Sequence, residues 1–180
     1  RLPILPRRRC FCGGDAAMKL MGFNIGRQRA VAQETSADDL LREAATFFAA
    51  KEYEAAIAMW LPLAQAGQPA AQCGIGICLT GGLGAEADLV AGTKWLLAAA
   101  TQGHAEAQRH IADAYIKGEG GPQSDVDAEL WYRRAADQGD AAAQDMLSWL
   151  LANSDGRTPD YTESLKWARA AADQGVAASM

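Results

Sequence analysis

The two histidines are the side chains best suited to metal or acid–base chemistry, but their spacing argues against a shared site. His104 and His110 lie six residues apart, which on a helix places their side chains about 120° out of alignment, so they cannot chelate an ion as an i, i+4 pair. We interpret His104 as a surface turn residue and His110 as a helix-face residue. The sequence therefore predicts no metal site at either histidine.

The four cysteines have three possible roles, as ligands, as disulfide partners or as packing residues. Cys10 and Cys12 lack a second pair at zinc-finger spacing. Cys73 and Cys78 lie five residues apart on one predicted helix, where their side chains diverge by about 140°. We predict that these two are reduced, small apolar residues. Reduced cysteines and the lack of an evident secretory signal favour a cytoplasmic location.

Motifs of nucleotide-binding and hydrolytic enzymes are absent or incomplete in the sequence. Gly74-Ile75-Gly76 and Gly81-Gly82-Leu83-Gly84 lack the strand and helix context of a dinucleotide loop, and no Gly-x-x-x-x-Gly-Lys-Ser/Thr occurs. His104-Ala105-Glu106 matches the start of a zinc deaminase signature, but no Pro-Cys-x-x-Cys follows it. We predict a protein that is not an enzyme and that has no cofactor.

The composition indicates that helices must position whatever site the chain has. The chain has 180 residues, of which 49% are hydrophobic and 7% aromatic. Alanine supplies much of the apolar share, which suits closely packed helices better than strands. The longest apolar runs, such as residues 95 to 100, are far shorter than the roughly 20 residues that span a bilayer. We predict an all-α protein without membrane insertion.

Positive charge is concentrated at the start of the chain, although the net charge is −5. Residues 1 to 30 carry seven basic side chains and the single acid Asp15. We expect residues 1–34 to be a disordered basic segment without function. Because Met18 is a plausible start, residues 1–17 are expected to be upstream sequence or sequence added for expression. An arm that binds nucleic acid or anionic lipid is the alternative.

A repeat of 36 residues organises the remainder, residues 35–180. Three tryptophans and four glycines keep this interval: Trp95, Trp131, Trp167, Gly67, Gly103, Gly139 and Gly175. We predict repeats at residues 35–67, 68–103, 104–139 and 140–175, and the start of a fifth at residues 176–180. A period of this length indicates a stack of similar units.

Each repeat is predicted to fold as two helices, called A and B. In the third repeat, helix A covers residues 105–116 and stops at the glycine-rich stretch 117–122. Helix B begins near Ser124 or Asp125 and ends at Gly139. Trp131 is expected to be buried between neighbouring repeats. The expected architecture is a right-handed α-solenoid of helix-turn-helix repeats.

These residues resemble the Sel-1-like repeat, a relative of the tetratricopeptide repeat with a longer loop inside each repeat. The matching residues of the third repeat are Ala107-Gln108, Ile111, Tyr115, Gly118, Gly120, Ala128, Trp131, Ala135-Ala136 and Gln138-Gly139. The resemblance covers about residues 68–180, and residues 38–67 look more like a plain tetratricopeptide hairpin. It implies a scaffold or adaptor for other proteins, as in bacterial signalling, envelope or virulence assemblies and in eukaryotic protein quality control.

The resemblance also brings a second candidate function. Some members of the family have been associated with β-lactam hydrolysis, so a β-lactam-recognising hydrolase is an alternative, although no Ser-x-x-Lys occurs in the chain. We expect instead a monomer that binds a protein or peptide and that binds no nucleic acid.

The resemblance implies that the A helices line a concave binding face. Three rows of A-helix positions lie off the predicted buried stripe and vary between repeats: Ala70, Glu106 and Ala142; Cys73, Arg109 and Asp145; Ile77, Asp113 and Trp149. The candidate partner-binding residues are Glu106, Arg109, Asp113, Asp145 and Trp149. One alternative is a solvated face with ordinary helix salt pairs. For Trp149, the alternative is packing against the next repeat.

Overall fold

The computed structural model of the protein describes residues 36–153 and 158–175, and within these ranges the chain forms eight α-helices and no strand. The helices are α1 Ala37–Ala49, α2 Tyr53–Gln65, α3 Pro69–Gly81, α4 Leu89–Thr101, α5 Ala105–Lys117, α6 Asp125–Asp137, α7 Ala141–Ala152 and α8 Tyr161–Asp173. Each helix packs mainly against the helices before and after it in the chain. The prediction of an all-α solenoid of helix-turn-helix repeats is confirmed. The expectations for residues 1–34 and for residues 176–180 lie outside the described residues.

The ends of the helices follow the predicted caps. The Ser124 side chain accepts the backbone N–H of Asp127 at the start of α6, which satisfies a donor of the first turn that has no partner inside the helix. Between α6 and α7, Gly139 has a φ of +90°, yet a Cβ at this position would meet no atom within 4 Å. Glycine is therefore favoured there by the backbone conformation and not by lack of space.

Tryptophan burial follows the repeat in part. Trp131 and Trp167 are 9% and 7% exposed, as predicted, but Trp95 is only partly buried. In the first repeat the buried indole is Trp60, 7% exposed, which lies one residue after the position that the period gives.

Pairs of small residues lie where the A and B helices of a repeat pack together. In the second repeat, a Cβ at Gly76 would lie 3.1 Å from the Gly92 carbonyl oxygen, so α3 and α4 approach closely. At the same positions of the fourth repeat, the Ser164 hydroxyl donates to the Ser148 carbonyl at 2.8 Å. Small residues at these positions thus allow the two helices of a repeat to pack closely.

A chain of amide hydrogen bonds joins each repeat to the next, and we call it the glutamine relay. The side-chain nitrogen of Gln108 on α5 donates to the Ala100 carbonyl of α4 at 3.1 Å, and its side-chain oxygen accepts from Gln138 at 2.8 Å. Equivalent bonds join Gln72 to Ala64 and Gln102, and Gln144 to Ala136 and Gln174. Because Gln108 is only 4% exposed, these bonds satisfy polar groups that the stacking removes from water.

Candidate functional site

The candidate site lies on the surface formed by the outward side chains of α1, α3, α5 and α7, which we call the A-helix face. Glu106 and Arg109 share one side of α5, and the Arg109 guanidinium lies 3.8 Å from the Glu106 carboxylate. Asp145 and Trp149 occupy the equivalent side of α7, one repeat later. The structure therefore places the predicted residues on two successive A helices.

Arg109 is surrounded by carboxylates, and we call this group the Arg109 cluster. Its guanidinium lies 3.6 Å from Asp113, and its Nε lies 3.5 Å from Asp140, the residue that caps α7. Glu106 completes the cluster. The Arg109 side chain is only 22% exposed, and its ion pair with Asp140 joins the third repeat to the fourth. Its buried Nε has no hydrogen-bond partner among the described residues.

Asp113 is also engaged with the protein interior. The Tyr132 hydroxyl, on α6, donates a hydrogen bond to Asp113. Burial and this carboxylate raise the pKa of Tyr132 above its ordinary value. Burial and the Arg109 guanidinium lower the pKa of His110, so its imidazole is neutral at physiological pH. The sequence analysis did not identify Asp140 or Tyr132 because both contact α5 from other helices.

Trp149 and Asp145 are only partly covered by the described residues. The indole of Trp149 is 46% exposed, whereas Leu147, Leu150 and Leu151 on the same helix are 0%, 2% and 6% exposed. Asp145 is partly buried and has no ion pair in the described part of the chain. Helix α7 is the last A helix among the described residues, so no later described repeat covers these side chains.

A cavity of about 220 Å³ opens on the A-helix face near the first two repeats. Its walls are Leu41, Ala45, Phe48, Trp60, Ala70, Gly74, Ile77, His104 and Glu106. Gly74 leaves room for the Trp60 indole, because a Cβ there would lie 2.6 Å from the ring. We call this space the Trp60 cavity. Periodicity alone does not reveal this cavity, because Trp60 lies one residue after the position that the 36-residue period gives.

Cys73, which the sequence analysis placed in an exposed row, is 1% exposed; that expectation is wrong. The start of α5 lies over Cys73. The Cys73 Sγ, a ring nitrogen of His104 and a carboxylate oxygen of Glu106 therefore all lie within 4.8 Å of one another. The Nδ1 of His104 accepts the Ala107 N–H at 3.4 Å. His104 is thus a partly buried cap and not the surface turn residue that we expected.

Both cysteines of the array are free thiols in the interior, as predicted. Burial raises the pKa of Cys73 to about 12 and that of Cys78 to about 11, from an ordinary value of 9.0. In the unfolded chain each thiol loses its proton near the ordinary pKa of 9.0, whereas in the folded chain it keeps the proton to a higher pH. The free energy of unfolding should therefore fall as the pH rises above about 9.

We expect neither buried thiol to react with a disulfide reagent in the folded protein. The measurement is labelling of a Cys10→Ser/Cys12→Ser variant in mildly alkaline buffer, with and without denaturant, because the thiolate is the reactive form. Two thiols should appear only after unfolding. Rapid labelling of Cys73 in the folded chain would contradict this burial.

The repeats match a known protein family. A family model described as the Sel1 repeat matches residues 69–104, 105–140 and 141–176, more than half of the chain. The chain belongs to the Sel1 repeat family. Each matched repeat begins one residue after the boundary predicted from the sequence. Proteins built from Sel1 repeats generally take part in protein–protein interactions.

Two solved structures show the same Sel1 repeat fold. A Sel1 repeat protein from Oxalobacter formigenes is 37% identical with a TM-score of 0.71, and the match covers 77% of this chain and 55% of that one. The protein c5321, a protective antigen present in uropathogenic Escherichia coli strains displaying an SLR fold, is 26% identical with a TM-score of 0.71, over 84% of this chain and 33% of that one. This Sel1 repeat chain spans about half of the first and a third of the second. No curated protein matches it.

None of the helices described has the length and apolar character needed to cross a membrane. The basic segment considered for nucleic acid or lipid lies within residues 1–34, outside the described part of the Sel1 repeat chain.

Proposed function

We propose that this Sel1 repeat array is a non-enzymatic adaptor that binds a protein or peptide on the concave face lined by its A helices. The observation that carries the proposal is the exposed indole of Trp149, 46% exposed on a helix whose leucines are buried. Exposed tryptophans supply large contact area to partners and are frequent among the residues that dominate binding energy.

Two further features of the A-helix face support the proposal. The Trp60 cavity offers an apolar recess of about 220 Å³, and Asp145 offers a carboxylate without an ion pair among the described residues. An apolar side chain of a bound peptide can fill the recess, and polar groups on the same face can fix the position of the peptide along the face. The two free, buried cysteines fit the proposed cytoplasmic setting.

The test uses peptides selected on the immobilised full chain from a random dodecapeptide library. Their affinity is then measured by fluorescence anisotropy against the wild type and Trp149→Ala. We expect Trp149→Ala to weaken binding about 10-fold or more, as for an aromatic residue central to an interface. The matched control is Leu130→Ala, because Leu130 on α6 is 47% exposed but lies on a B helix. If both variants bind like the wild type, the A-helix face is not the site.

Arg109→Glu is less suitable as a binding test. Glu106, Asp113 and Asp140 all lie within 3.8 Å of the Arg109 guanidinium, so the substitution places a fourth carboxylate among three. It is expected to lower stability as well as binding.

A further inference from the structure

The A-helix face carries an excess of negative charge in its second half. The carboxylates of Glu106, Asp113, Asp140 and Asp145 are opposed there by the guanidinium of Arg109, while Lys117 at the end of α5 is paired with Glu119, counted over the described residues. His110 adds no positive charge, because its pKa is lowered by burial and by Arg109. The excess on this half of the face is three negative charges.

The Arg109 guanidinium is shared and cannot neutralise its neighbours completely. It lies 3.8 Å, 3.6 Å and 3.5 Å from three different carboxylates, so no single pair has hydrogen-bonding geometry. The most exposed of the three is Glu106, whose side chain is 52% exposed. Glu106 and the unpaired Asp145 can therefore accept further cationic groups from a partner, and neighbouring carboxylates in a groove strengthen this attraction.

The part of the same face formed by α3 is apolar. Helix α3 has no charged residue, and the Trp60 cavity, which α3 helps to line, ends at Glu106. Its volume of about 220 Å³ is below the roughly 300 Å³ at which sites for whole small molecules begin. The size suits one apolar side chain. An apolar recess is thus directly followed by an anionic surface.

We infer that the bound segment is a cationic peptide, in which one apolar side chain fills the Trp60 cavity and neighbouring Lys or Arg residues lie over Glu106 and Asp145. This inference rests on the proposed function and specifies the chemistry of the partner. Acidic peptides and nucleic acids are disfavoured on this face because their charge has the same sign as the carboxylates.

The first experiment determines the composition of the dodecapeptides selected on the full chain. We expect net positive peptides that carry at least one large aliphatic or aromatic residue. Their affinity should weaken as salt increases, since screening reduces attraction between exposed charges. Neutral or acidic peptides whose binding still depends on Trp149 would overturn the inference and leave the proposed function intact. Failure to enrich any peptide would overturn both.

Two variants separate the charge from the cavity. Glu106→Gln/Asp145→Asn should weaken binding of a selected cationic peptide about 3- to 20-fold, as expected for two partly exposed ion pairs. The control is Asp137→Asn/Asp173→Asn, which removes the same charge from exposed residues at the ends of α6 and α8. Ala70→Phe fills the cavity without a change in charge, and should weaken binding about 10-fold. If Glu106→Gln/Asp145→Asn and Ala70→Phe both bind the peptide as tightly as the control variant does, the inference is overturned.

Other occupants give distinct results. If a second copy of the chain fills the cavity, sedimentation velocity of the full chain without peptide should show a dimer, and Ala70→Phe should dissociate it. That outcome would overturn the inference that the occupant is a cationic peptide. Urea unfolding of each variant shows whether the fold is retained. If Glu106→Gln/Asp145→Asn is unstable, Ala70→Phe and the salt dependence still decide the question.

Discussion

Replacing Trp131 with alanine is expected to lower the free energy of unfolding by about 3–5 kcal/mol, the usual range for loss of a large buried aromatic side chain. Trp131 is 9% exposed and belongs to the buried cluster that also contains Leu96 of the preceding repeat and Leu147 of the following one. Its ring also lies 4.6 Å from the guanidinium carbon of Arg134. The substitution therefore removes packing from two junctions.

The measurement is urea unfolding followed by circular dichroism, compared with Trp149→Ala. Both variants lose an indole, but Trp149 is 46% exposed, so its loss should lower the free energy of unfolding by only about 1–2 kcal/mol. Because neighbouring repeats stabilise one another, the weakened junction in Trp131→Ala should also broaden the transition. Identical unfolding midpoints for the two variants would show that Trp131 does not hold the repeats together.

Gly92→Ala is expected to destabilise the protein by about 1–2 kcal/mol, although alanine is the better helix former by about 1 kcal/mol. A Cβ at Gly92 would lie 2.6 Å from Thr80 Cγ2, 2.9 Å from the Thr80 nitrogen and 3.0 Å from the Gly76 oxygen. Two of these are backbone atoms, so relief requires α3 and α4 to move apart. Overpacking of this kind outweighs the gain in helix propensity.

The matched control for Gly92→Ala is Gly121→Ala. A Cβ at Gly121 would meet no atom within 4 Å, so the same exchange should alter stability by at most about 0.5 kcal/mol. Both are measured by the same unfolding experiment. A rise in stability for Gly92→Ala would mean that the two helices do not approach as closely as described.

The repeat architecture could be predicted because its determinants recur in the sequence. Gly139 and its equivalents mark the junctions, and Trp131 and Trp167 mark the buried side of the B helices, so spacing alone defines the register. Trp60 could not be placed in this way. The first repeat has a shorter loop, and the Trp60 ring occupies the space that Gly74 leaves, a contact that no periodic pattern encodes.

The candidate site could be predicted only as a set of positions. Helical spacing places Glu106, Arg109 and Asp113 on one side of α5. It does not show that Asp140 approaches Arg109 from the next repeat, or that Cys73 is covered by the start of α5. Contacts between helices determine which side chains remain free, and these depend on the distances at which repeats stack.

The glutamine relay constrains how an array of this kind changes length. Within each repeat the relay joins two glutamines 30 residues apart, and at each junction the first of them donates to an alanine carbonyl of the preceding repeat. Duplicating or deleting one whole unit preserves every donor and acceptor, because the new neighbour presents an equivalent alanine carbonyl. Adding a few residues within an A helix rotates its glutamine away from the preceding carbonyl and leaves a buried amide without a partner, which costs about 1–3 kcal/mol. Growth by complete units is therefore the tolerated evolutionary route.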